Sequence, residues 1–162
     1  MTSGGLTSGR LTRRQLHHQF MARALELAIM AQERDEIPVG AVVVQNEKII
    51  GEGFNCSIGN HDASGHAEIM ALRAAGKTIE NYRLDKCSLY VTMEPCIMCA
   101  GAILHARIEH LIFATHDLKF GAAGSQLNLL QSRFLNHRCS ITAGIMQAKC
   151  QELIQQFFKQ RR

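Results

Sequence analysis

The sequence lacks any apolar run that could cross a membrane. A helix needs about 20 apolar residues to span a bilayer, and the longest run here, Ile97 to Leu104, is well short of that length. We therefore expect a soluble protein with no membrane partner. The chain also lacks internal repeats, and its 162 residues, of which 46% are hydrophobic, suffice for one domain with a substantial core.

Acidic residues are missing from both ends of the chain. The first 25 residues contain four arginines and no acidic residue, and the last eight contain Lys159, Arg161 and Arg162 and again no acidic residue. The net charge is only +4, so the placement of the charge matters more than its size. A solvated surface or a loose tail produces such clusters about as often as a polyanionic partner such as RNA does, and composition leaves both readings open.

Residues 1–14 differ in composition from the rest of the chain. They are basic and rich in serine, threonine and glycine, as transit peptides are, but Gly4, Gly5 and Gly9 work against the amphipathic helix of a transit peptide. We predict a disordered basic tail over residues 1–14 and a single folded domain over residues 15–162.

The six cysteines would allow three disulfides in a secreted scaffold. However, Cys96 and Cys99 have Cys-x-x-Cys spacing, and the rest of the chain has the pattern of a long apolar core, so metal binding and buried thiols are favoured over disulfides. We therefore expect a reducing compartment, the cytoplasm. The other four cysteines are predicted to be small buried apolar residues: Cys56, Cys87, Cys139 and Cys150.

Apolar periodicity predicts an α/β fold. Helical spacing and β-branched runs alternate along the chain, and the order of elements favours a three-layer α/β/α domain with a central five-stranded mixed sheet. A hairpin turn is predicted at Asn46-Glu47. The predicted helices begin at Gln15, His66 (ending at Gly76), Pro95 and about Ala143, and the predicted strands are 41–44, 48–54, 87–92, 110–114 and 139–142.

The most informative motif is His66-Ala67-Glu68 followed by Pro95-Cys96-Ile97-Met98-Cys99. Cys96 and Cys99 are three residues apart, so their sulfurs lie on one face of a helical turn. The amide hydrogens at a helix N-terminus favour thiolates. With His66 they make three zinc ligands, which is the number that catalytic zinc sites use, whereas structural sites have four. A structural zinc site is the alternative, with His61, His105 or Cys87 as its fourth ligand.

Glu68 is not needed as a ligand, so its carboxylate is available to move protons. Zinc lowers the pKa of a bound water from about 16 towards about 7, and a nearby carboxylate can accept its proton and pass it to a leaving amine. His-x-Glu followed by Pro-Cys-x-x-Cys is the known signature of zinc-dependent nucleobase deaminases, and the roles of these four residues are those that the enzyme class assigns to them.

From about residue 18 to the C-terminus, the chain resembles the bacterial tRNA-specific adenosine deaminases of the cytidine deaminase superfamily. The resemblance implies a cytidine deaminase-like fold, one Zn²⁺ per subunit, a homodimer, and conversion of adenosine to inosine at the wobble position of a tRNA anticodon stem-loop. The match extends beyond the zinc motif, and the segments that carry it are Pro38 to Ala41, Gly51 to Gly53 with Asn55, His66 to Leu72, Asn81 to Leu84, Glu94 to Gly101, Gly121 to Ser125, Asn136 to Arg138 and Phe157-Phe158.

The resemblance also implies individual roles. His66, Cys96 and Cys99 hold zinc, and Glu68 is catalytic. Among the substrate-binding residues, Asn55 hydrogen-bonds the flipped nucleoside, the Ala67 amide lies near the reacting carbon, and Asp117 contacts the preceding nucleotide, where a carboxylate can bind a ribose 2′-hydroxyl and favour RNA over DNA. The remaining substrate-binding residues are Pro95, Lys119, which is placed to meet a phosphate, and Phe158, which is placed to stack on a base.

Some positions depart from the family pattern or stay open. Thr115, His116, Leu118 and Phe120 vary among relatives, which puts the sequence context of the target in doubt. Lys119 and Phe158 could equally be exposed surface residues, and His137 and Arg138 could contact RNA or tie down their loop. Two alternatives to the predicted function are a free purine-base deaminase, such as a guanine deaminase, and a catalytically silent RNA-binding subunit. The particular tRNA is not determined by the sequence.

Overall fold

The computed structural model describes residues 9–161, so most of the predicted tail, residues 1–8, lies outside the described residues. Residues 9–12 have no regular secondary structure, and the first helix begins at Arg13, slightly before its predicted start. Thr12 caps this helix, because its hydroxyl accepts a hydrogen bond from the Gln15 N–H and the Gln15 side chain accepts one from the Thr12 N–H.

The predicted three-layer architecture with a five-stranded mixed sheet is confirmed. The strand order is β2-β1-β3-β4-β5, with β1 antiparallel to β2 and β3, while β3, β4 and β5 run parallel. The elements are α1 (Arg13–Gln32), β1 (Gly40–Gln45), β2 (Lys48–Phe54), α2 (Ala67–Ile79), β3 (Ser88–Met93), α3 (Ile97–His105), β4 (His110–Thr115), a 3₁₀ turn (Leu129–Gln131), β5 (Ser140–Ala143) and α4 (Gln147–Gln160).

Each face of the sheet has its own apolar core. Successive strand residues point to opposite faces, so Val43 and Leu89 pack on one face and Val42 and Tyr90 on the other. The first core is shared with α2 and α3, and the second with α1 and α4. This alternation, which the sequence carries as β-branched runs, places the two helical layers.

Several element boundaries differ from the predictions. Helix α2 continues past Gly76 to Ile79 and ends where Glu80 adopts a left-handed conformation with φ 55°. Helix α3 begins at Ile97, because Cys96 keeps an extended backbone as the N-cap, so Pro95 does not occupy the predicted first helical position. Helix α4 begins at Gln147 rather than near Ala143, because Met146 has φ 58° and interrupts the helical backbone.

The β1–β2 hairpin positions the start of α2. Its predicted turn residues Asn46 and Glu47 have φ of 51° and 61°, the positive values that a type I′ turn requires. On β2, a Cβ at Gly53 would lie 2.4 Å from the Ala67 carbonyl oxygen, so only glycine allows α2 to approach this strand so closely. The close contact fixes the first turn of α2 over the end of β2.

The carboxyl ends of β3 and β4 meet at one edge of the sheet. Met93 pairs with Thr115 there, and α3 begins just beyond β3. Ligands of α/β proteins bind outside the carboxyl ends of parallel strands, so this edge is where a site is expected. Within residues 9–161, no helix combines the length and apolar character needed to cross a bilayer.

Candidate active site

Two helix N-termini bring the three predicted metal ligands together. His66 is the N-cap of α2, Cys96 is the N-cap of α3, and Cys99 lies in the first turn of α3. The His66 Nδ1 atom is 3.6 Å from the Cys96 Sγ and 3.5 Å from the Cys99 Sγ. The ligand atoms of the three residues all lie within 4.8 Å of one another, so a single ion can be bound by all three.

This cluster of His66, Cys96 and Cys99 has no fourth ligand among residues 9–161. The candidates for a closed structural site lie elsewhere: His61 and His105 are exposed, and Cys87 is buried just before β3. One imidazole and two sulfurs form the donor set of an open zinc site, in which the fourth position is left for water or substrate. The cluster therefore fits a reactive metal better than a structural one.

The surroundings of Cys96 favour the thiolate form of its side chain. Hydrogen bonds from the Cys99 thiol and then from the His66 ring lower the pKa of Cys96 to about 4, although partial burial acts in the opposite direction. Its place at the N-terminus of α3 favours negative charge for the same reason that helix N-termini bind anions. A thiolate is the form of cysteine that binds a metal.

Glu68 lies in the first turn of α2 beside the cluster, and its side chain lines the same cavity as His66 and Cys96. It is 4% exposed. Burial raises the pKa of Glu68 to about 7, against the opposing effects of a hydrogen bond from Cys99 and the charge of His66. A carboxyl group with a pKa near neutrality can both accept and donate a proton at the pH of the cell.

Asn55 and Ala67 are bonded to each other. The Ala67 N–H donates a hydrogen bond to the Asn55 Oδ1 at 2.8 Å, and the Asn55 N–H donates to the Val39 carbonyl oxygen at 3.1 Å. Asn55 therefore connects the end of β2 to the start of α2. With its oxygen used in this way, the Asn55 amide nitrogen is the group that can donate to a ligand in the cavity.

A cavity of about 1270 Å³ opens over the cluster. Five predicted substrate or catalytic residues line it, whereas Ala67 and Pro95 are buried and do not contribute to its lining. Its volume exceeds the 300–1000 Å³ that is typical of sites for drug-sized ligands. The lining residues are Ile37, Val39, Asn55, His66, Glu68, Met93, Glu94, Cys96, Ile97, His116, Asp117, Leu118, Lys119, Phe120, Ile154, Gln155, Phe158, Lys159 and Arg161.

The loop after β4 forms one rim of the cavity. Its Asp117 Oδ1 accepts hydrogen bonds from the backbone N–H groups of Lys119 at 3.0 Å and Phe120 at 3.1 Å. Leu118, Lys119 and Phe120 are all exposed. One oxygen of Asp117 thus shapes the loop, and the residues around it are presented to the solvent and the cavity.

The C-terminal helix and Arg161 form another part of the cavity lining, of which only Phe158 was predicted from the sequence. Phe158 is 45% exposed, whereas Phe157 is buried in the core. Arg161, beyond the end of α4, bonds Asp35 at 3.1 Å and lies over the Phe157 ring at 4.1 Å from its centroid. Gln155 and Arg161 were not predicted as cavity residues, because no local pattern connects α4 with a cluster formed by α2 and α3.

Contacts within the chain account for His137 and for the cysteines outside the cluster. The His137 Nε2 bonds the Ile108 carbonyl oxygen at 2.7 Å, so His137 ties down its loop. All six cysteines lie in the described part of the chain, and none of them forms a disulfide. Cys87, Cys139 and Cys150 are buried, and Cys56 is half-buried and donates to the Gly65 carbonyl oxygen.

Glu94 is a buried acidic residue of the cavity wall that belongs to the sequence motif but has no role predicted from the sequence. It is 3% exposed and stands directly before Pro95 at the carboxyl end of β3. A charged residue at the buried end of a strand is a signal that it has several hydrogen-bond partners. Its partners belong to the loop after β4, which periodicity does not place in space.

Comparison with known proteins supports the deaminase signature. A family model described as MafB19-like deaminase matches residues 15–162. The tRNA-specific adenosine deaminase of Haemophilus influenzae is 48% identical over 151 residues, which cover 93% of this chain and 87% of that protein. The tRNA-specific adenosine deaminase of Streptococcus pyogenes (strain MGAS8232) is 42% identical over 143 residues, covering 88% of this chain and 90% of that protein.

Two solved deaminase structures resemble this chain. A tRNA:A34 deaminase, described as editing the wobble position of transfer RNA, superposes with a TM-score of 0.81 at 37% identity, over 83% of this chain and 98% of that chain. Guanine deaminase from Bacillus subtilis superposes with a TM-score of 0.61 at 40% identity, over 67% of this chain and 70% of that chain. The resemblance seen in the sequence is confirmed: this chain belongs to the tRNA-specific adenosine deaminase family, within the MafB19-like deaminases.

Proposed function

We propose that this protein is a zinc-dependent enzyme that deaminates adenosine to inosine at the wobble position, position 34, of tRNA. The observation that carries the proposal is the open cluster of His66, Cys96 and Cys99 at a cavity that Glu68 also lines. The family to which the chain belongs supports the substrate.

The residues present fit one zinc ion per subunit. Two thiolates balance the charge of Zn²⁺, and His66 supplies the third ligand from the neighbouring helix. When bound, the ion supplies the Lewis acidity that makes water a nucleophile at neutral pH. The open fourth position is consistent with that use.

Glu68 would move the proton in this reaction. Its carboxylate lies beside the metal ligands and has a pKa near 7, so it can pass one proton from water to a purine ring nitrogen and a second proton, from the hydroxyl added to the ring, to the departing amine. Burial excludes bulk water from Glu68, so the transferred proton stays within the site.

Asn55 and its neighbours would hold the nucleoside. The Asn55 amide nitrogen can donate to the purine. The Ala67 N–H holds the Asn55 side chain in place, and the Pro95 carbonyl oxygen, which accepts a hydrogen bond from the Ala122 N–H, holds the loop after β4 beside the metal ligands. The target adenosine must leave the stack to reach this depth. A base in an anticodon loop is already unpaired, so its extrusion costs less than opening a duplex.

Asp117, Lys119 and Phe158 would contact the RNA around the target. The Asp117 Oδ1 is used within its own loop, which leaves Oδ2 to accept a hydrogen bond from a ribose 2′-hydroxyl. Lys119 is exposed at the rim and would meet a phosphate, and the exposed ring of Phe158 would stack on a base. We expect a preference for RNA over DNA.

We also propose that the enzyme is a cytoplasmic homodimer. A groove of about 680 Å³ lies between α2 and α3, the two helices that carry the metal ligands, and Tyr82 at its edge is 77% exposed. A second copy packed there would cover the apolar part of this groove, which lies towards the C-terminal ends of the two helices. Light scattering after size-exclusion chromatography tests this, and a monomer at micromolar concentration contradicts it.

The test of function compares two substrates. Purified zinc-loaded protein is incubated with an anticodon stem-loop that has adenosine at the wobble position, and separately with free guanine. We expect inosine in the RNA and no xanthine from guanine. Guanine deamination without RNA editing would support the base-deaminase alternative, and RNA binding without either product would support a silent RNA-binding subunit.

The RNA preference has its own test in Asp117→Asn. Asparagine keeps the Oδ1 acceptor that shapes the loop but replaces the carboxylate oxygen facing the 2′-hydroxyl. We expect the ratio of RNA to DNA activity on matched stem-loops to fall about tenfold, the effect of losing one charge-assisted hydrogen bond. An unchanged ratio contradicts the role proposed for Asp117.

A further inference from the structure

Glu94 is the buried acidic side chain of the cavity wall that the proposed chemistry does not use. Its carboxylate lies at the end of β3, next to the turn that carries Cys96, and faces the loop after β4. It is 3% exposed. Burying a carboxylate is costly unless several donors surround it, so its contacts indicate its purpose.

Five donors from one loop converge on this carboxylate. The Oε1 atom accepts hydrogen bonds from the Asp117 N–H at 3.2 Å, from the Ser125 hydroxyl and from the His116 Nδ1 at 3.3 Å. The Oε2 atom accepts from the N–H groups of Ala123 and Ser125, each at 3.1 Å. A single side chain therefore holds residues 116–125, which we call the rim loop, at both of its ends.

Backbone bonds join the rim loop to the metal-binding turn at the same place. The Glu94 N–H donates to the Thr115 carbonyl oxygen at 2.8 Å, and the Ala122 N–H donates to the Pro95 carbonyl oxygen at 2.8 Å. The loop also packs directly against the carboxylate: a Cβ at Gly121 would lie 2.2 Å from the Glu94 Oε2. Glu94 is thus the shared anchor of the rim loop and of the turn that begins α3.

We propose that Glu94 is a positioning residue for RNA recognition, because its carboxylate sets where Asp117 and Lys119 stand relative to the metal ligands. The inference rests on the proposed function. A glutamine at this position would keep the shape but not the chemistry, since its NH₂ group would face N–H donors that need an acceptor. The rim loop would then lose part of its anchoring while the metal ligands keep theirs.

The experiment measures kcat and KM for the anticodon stem-loop and its DNA equivalent, with zinc content, in the wild type and in Glu94→Gln. We expect KM for the RNA to rise about tenfold, as for the loss of charge-assisted hydrogen bonds, with kcat and zinc content little changed. The RNA-to-DNA activity ratio should fall as it does in Asp117→Asn. In the double variant Glu94→Gln/Asp117→Asn, the reductions of this ratio by the two single substitutions should not add, because both act through Asp117.

Two further variants keep the inference testable if Glu94→Gln does not fold. Ser125→Ala removes one donor and keeps the Ser125 backbone bond, so it should shift KM and the ratio in the same direction by less. Gly121→Ala crowds both the Glu94 carboxylate and the Asp117 carbonyl oxygen, so it should displace the rim loop and raise KM as well. Glu36→Gln is the matched control, because Glu36 is equally buried and accepts N–H bonds from Ile58 and Gly59 of a different loop.

The outcomes separate the inference from the proposed function. A wild type that does not edit RNA overturns the proposed function. An active wild type with unchanged KM and ratio in Glu94→Gln, or in both substitute variants, overturns the inference alone. Lost zinc or a fall in kcat at constant KM would make Glu94 a purely structural residue, and the same KM rise in Glu36→Gln would show a general response to losing a buried carboxylate. Either result also overturns it.

Discussion

The two faces of the sheet each hold a histidine-containing polar cluster, but the clusters are built differently. On the α2 and α3 face, His66 converges with two cysteine sulfurs. On the α1 face, polar atoms are satisfied in separate pairs: the His17 Nδ1 lies 2.8 Å from the Tyr90 hydroxyl, and the His110 Nε2 lies 2.8 Å from the Thr142 hydroxyl. We call these four residues the paired cluster.

The pKa shifts of the histidines have opposite signs in the two clusters. The hydrogen bond with Cys96 raises the pKa of His66, whereas burial lowers the pKa of His17 and of His110. A histidine that meets sulfurs beside a cavity is placed to bind an ion, while one that meets a neutral hydroxyl is a satisfied core residue. Burial of a polar group therefore does not by itself identify a site. A site is indicated when several potential ligand atoms converge beside a cavity, as those of His66, Cys96 and Cys99 do.

The largest expected difference between the clusters is in metal content. Cys99→Ser replaces a soft sulfur ligand with a hydroxyl, so we expect loss of zinc and of detectable deamination. Cys150→Ser is the matched control, since Cys150 is also buried in a helix but lies in the core shared by α1 and α4. Measurements of zinc per chain and of inosine formation check both variants. A Cys99→Ser protein that still binds zinc would contradict the proposed role of Cys99 as a metal ligand.

The next effect separates binding the metal from moving the proton. Glu68→Gln keeps the size of the side chain and removes its acid–base function, so kcat for the stem-loop should fall about 10²–10⁴-fold. Zinc content should stay unchanged, because Glu68 is outside the ligand cluster. Full activity in a zinc-loaded Glu68→Gln protein would remove Glu68 from the mechanism.

The sequence was sufficient to predict that His66, Cys96 and Cys99 come together, because the signals for this cluster are local. His66, Cys96 and Cys99 take their geometry from two helix starts, and a helix start is set by a few neighbouring residues. The sheet was also predictable, since five β-branched runs carry their own period. The exact first residues of α3 and α4 were not predictable, because Cys96 and Met146 have non-helical backbone conformations that their residue types do not indicate.

The walls of the cavity were less predictable because they depend on contacts between distant segments. Periodicity identified α4 as a helix but could not show that Gln155 and Arg161 line the same cavity as His66 and Cys96. The Asn55 contact with Ala67 and the Glu94 contacts with the rim loop likewise require the folded arrangement. The residues proposed for the reaction thus lie in short motifs, whereas the placement of those proposed to select the substrate depends on tertiary structure.

A smaller effect tests whether the paired cluster is purely structural. Tyr90→Phe removes the hydroxyl that bonds His17, which should lower the free energy of unfolding by about 1–2 kcal/mol. The kcat/KM for the stem-loop should not change, because Tyr90 packs on the face away from the metal ligands. Urea denaturation at pH 8 and initial rates check these two results. A fall in activity with retained stability would mean that the two clusters are coupled.

The smallest expected effect is a pH dependence of stability from His17 and His110. Burial is the main cause of both lowered pKa values, with smaller contributions from Arg13 to both residues and from His17 to His110, and an opposing one from Glu109 at His110. The folded protein therefore binds a proton at these residues less readily than the unfolded chain, whose histidines have a pKa of about 6.5. Their contribution is complete above pH 6.5 and is lost as the pH falls through the lower folded values.

The double variant His17→Gln/His110→Gln isolates this contribution. Carboxylates and His66 titrate in both proteins, so the difference between them reports the two replaced histidines. We expect the free energy of unfolding of the wild type to fall more steeply between pH 7 and pH 5 than that of the variant, as measured by urea denaturation at constant zinc and salt. Equal slopes would show that His17 and His110 take up protons in the folded state as readily as in the unfolded chain, and the contrast with His66 would then rest on geometry alone.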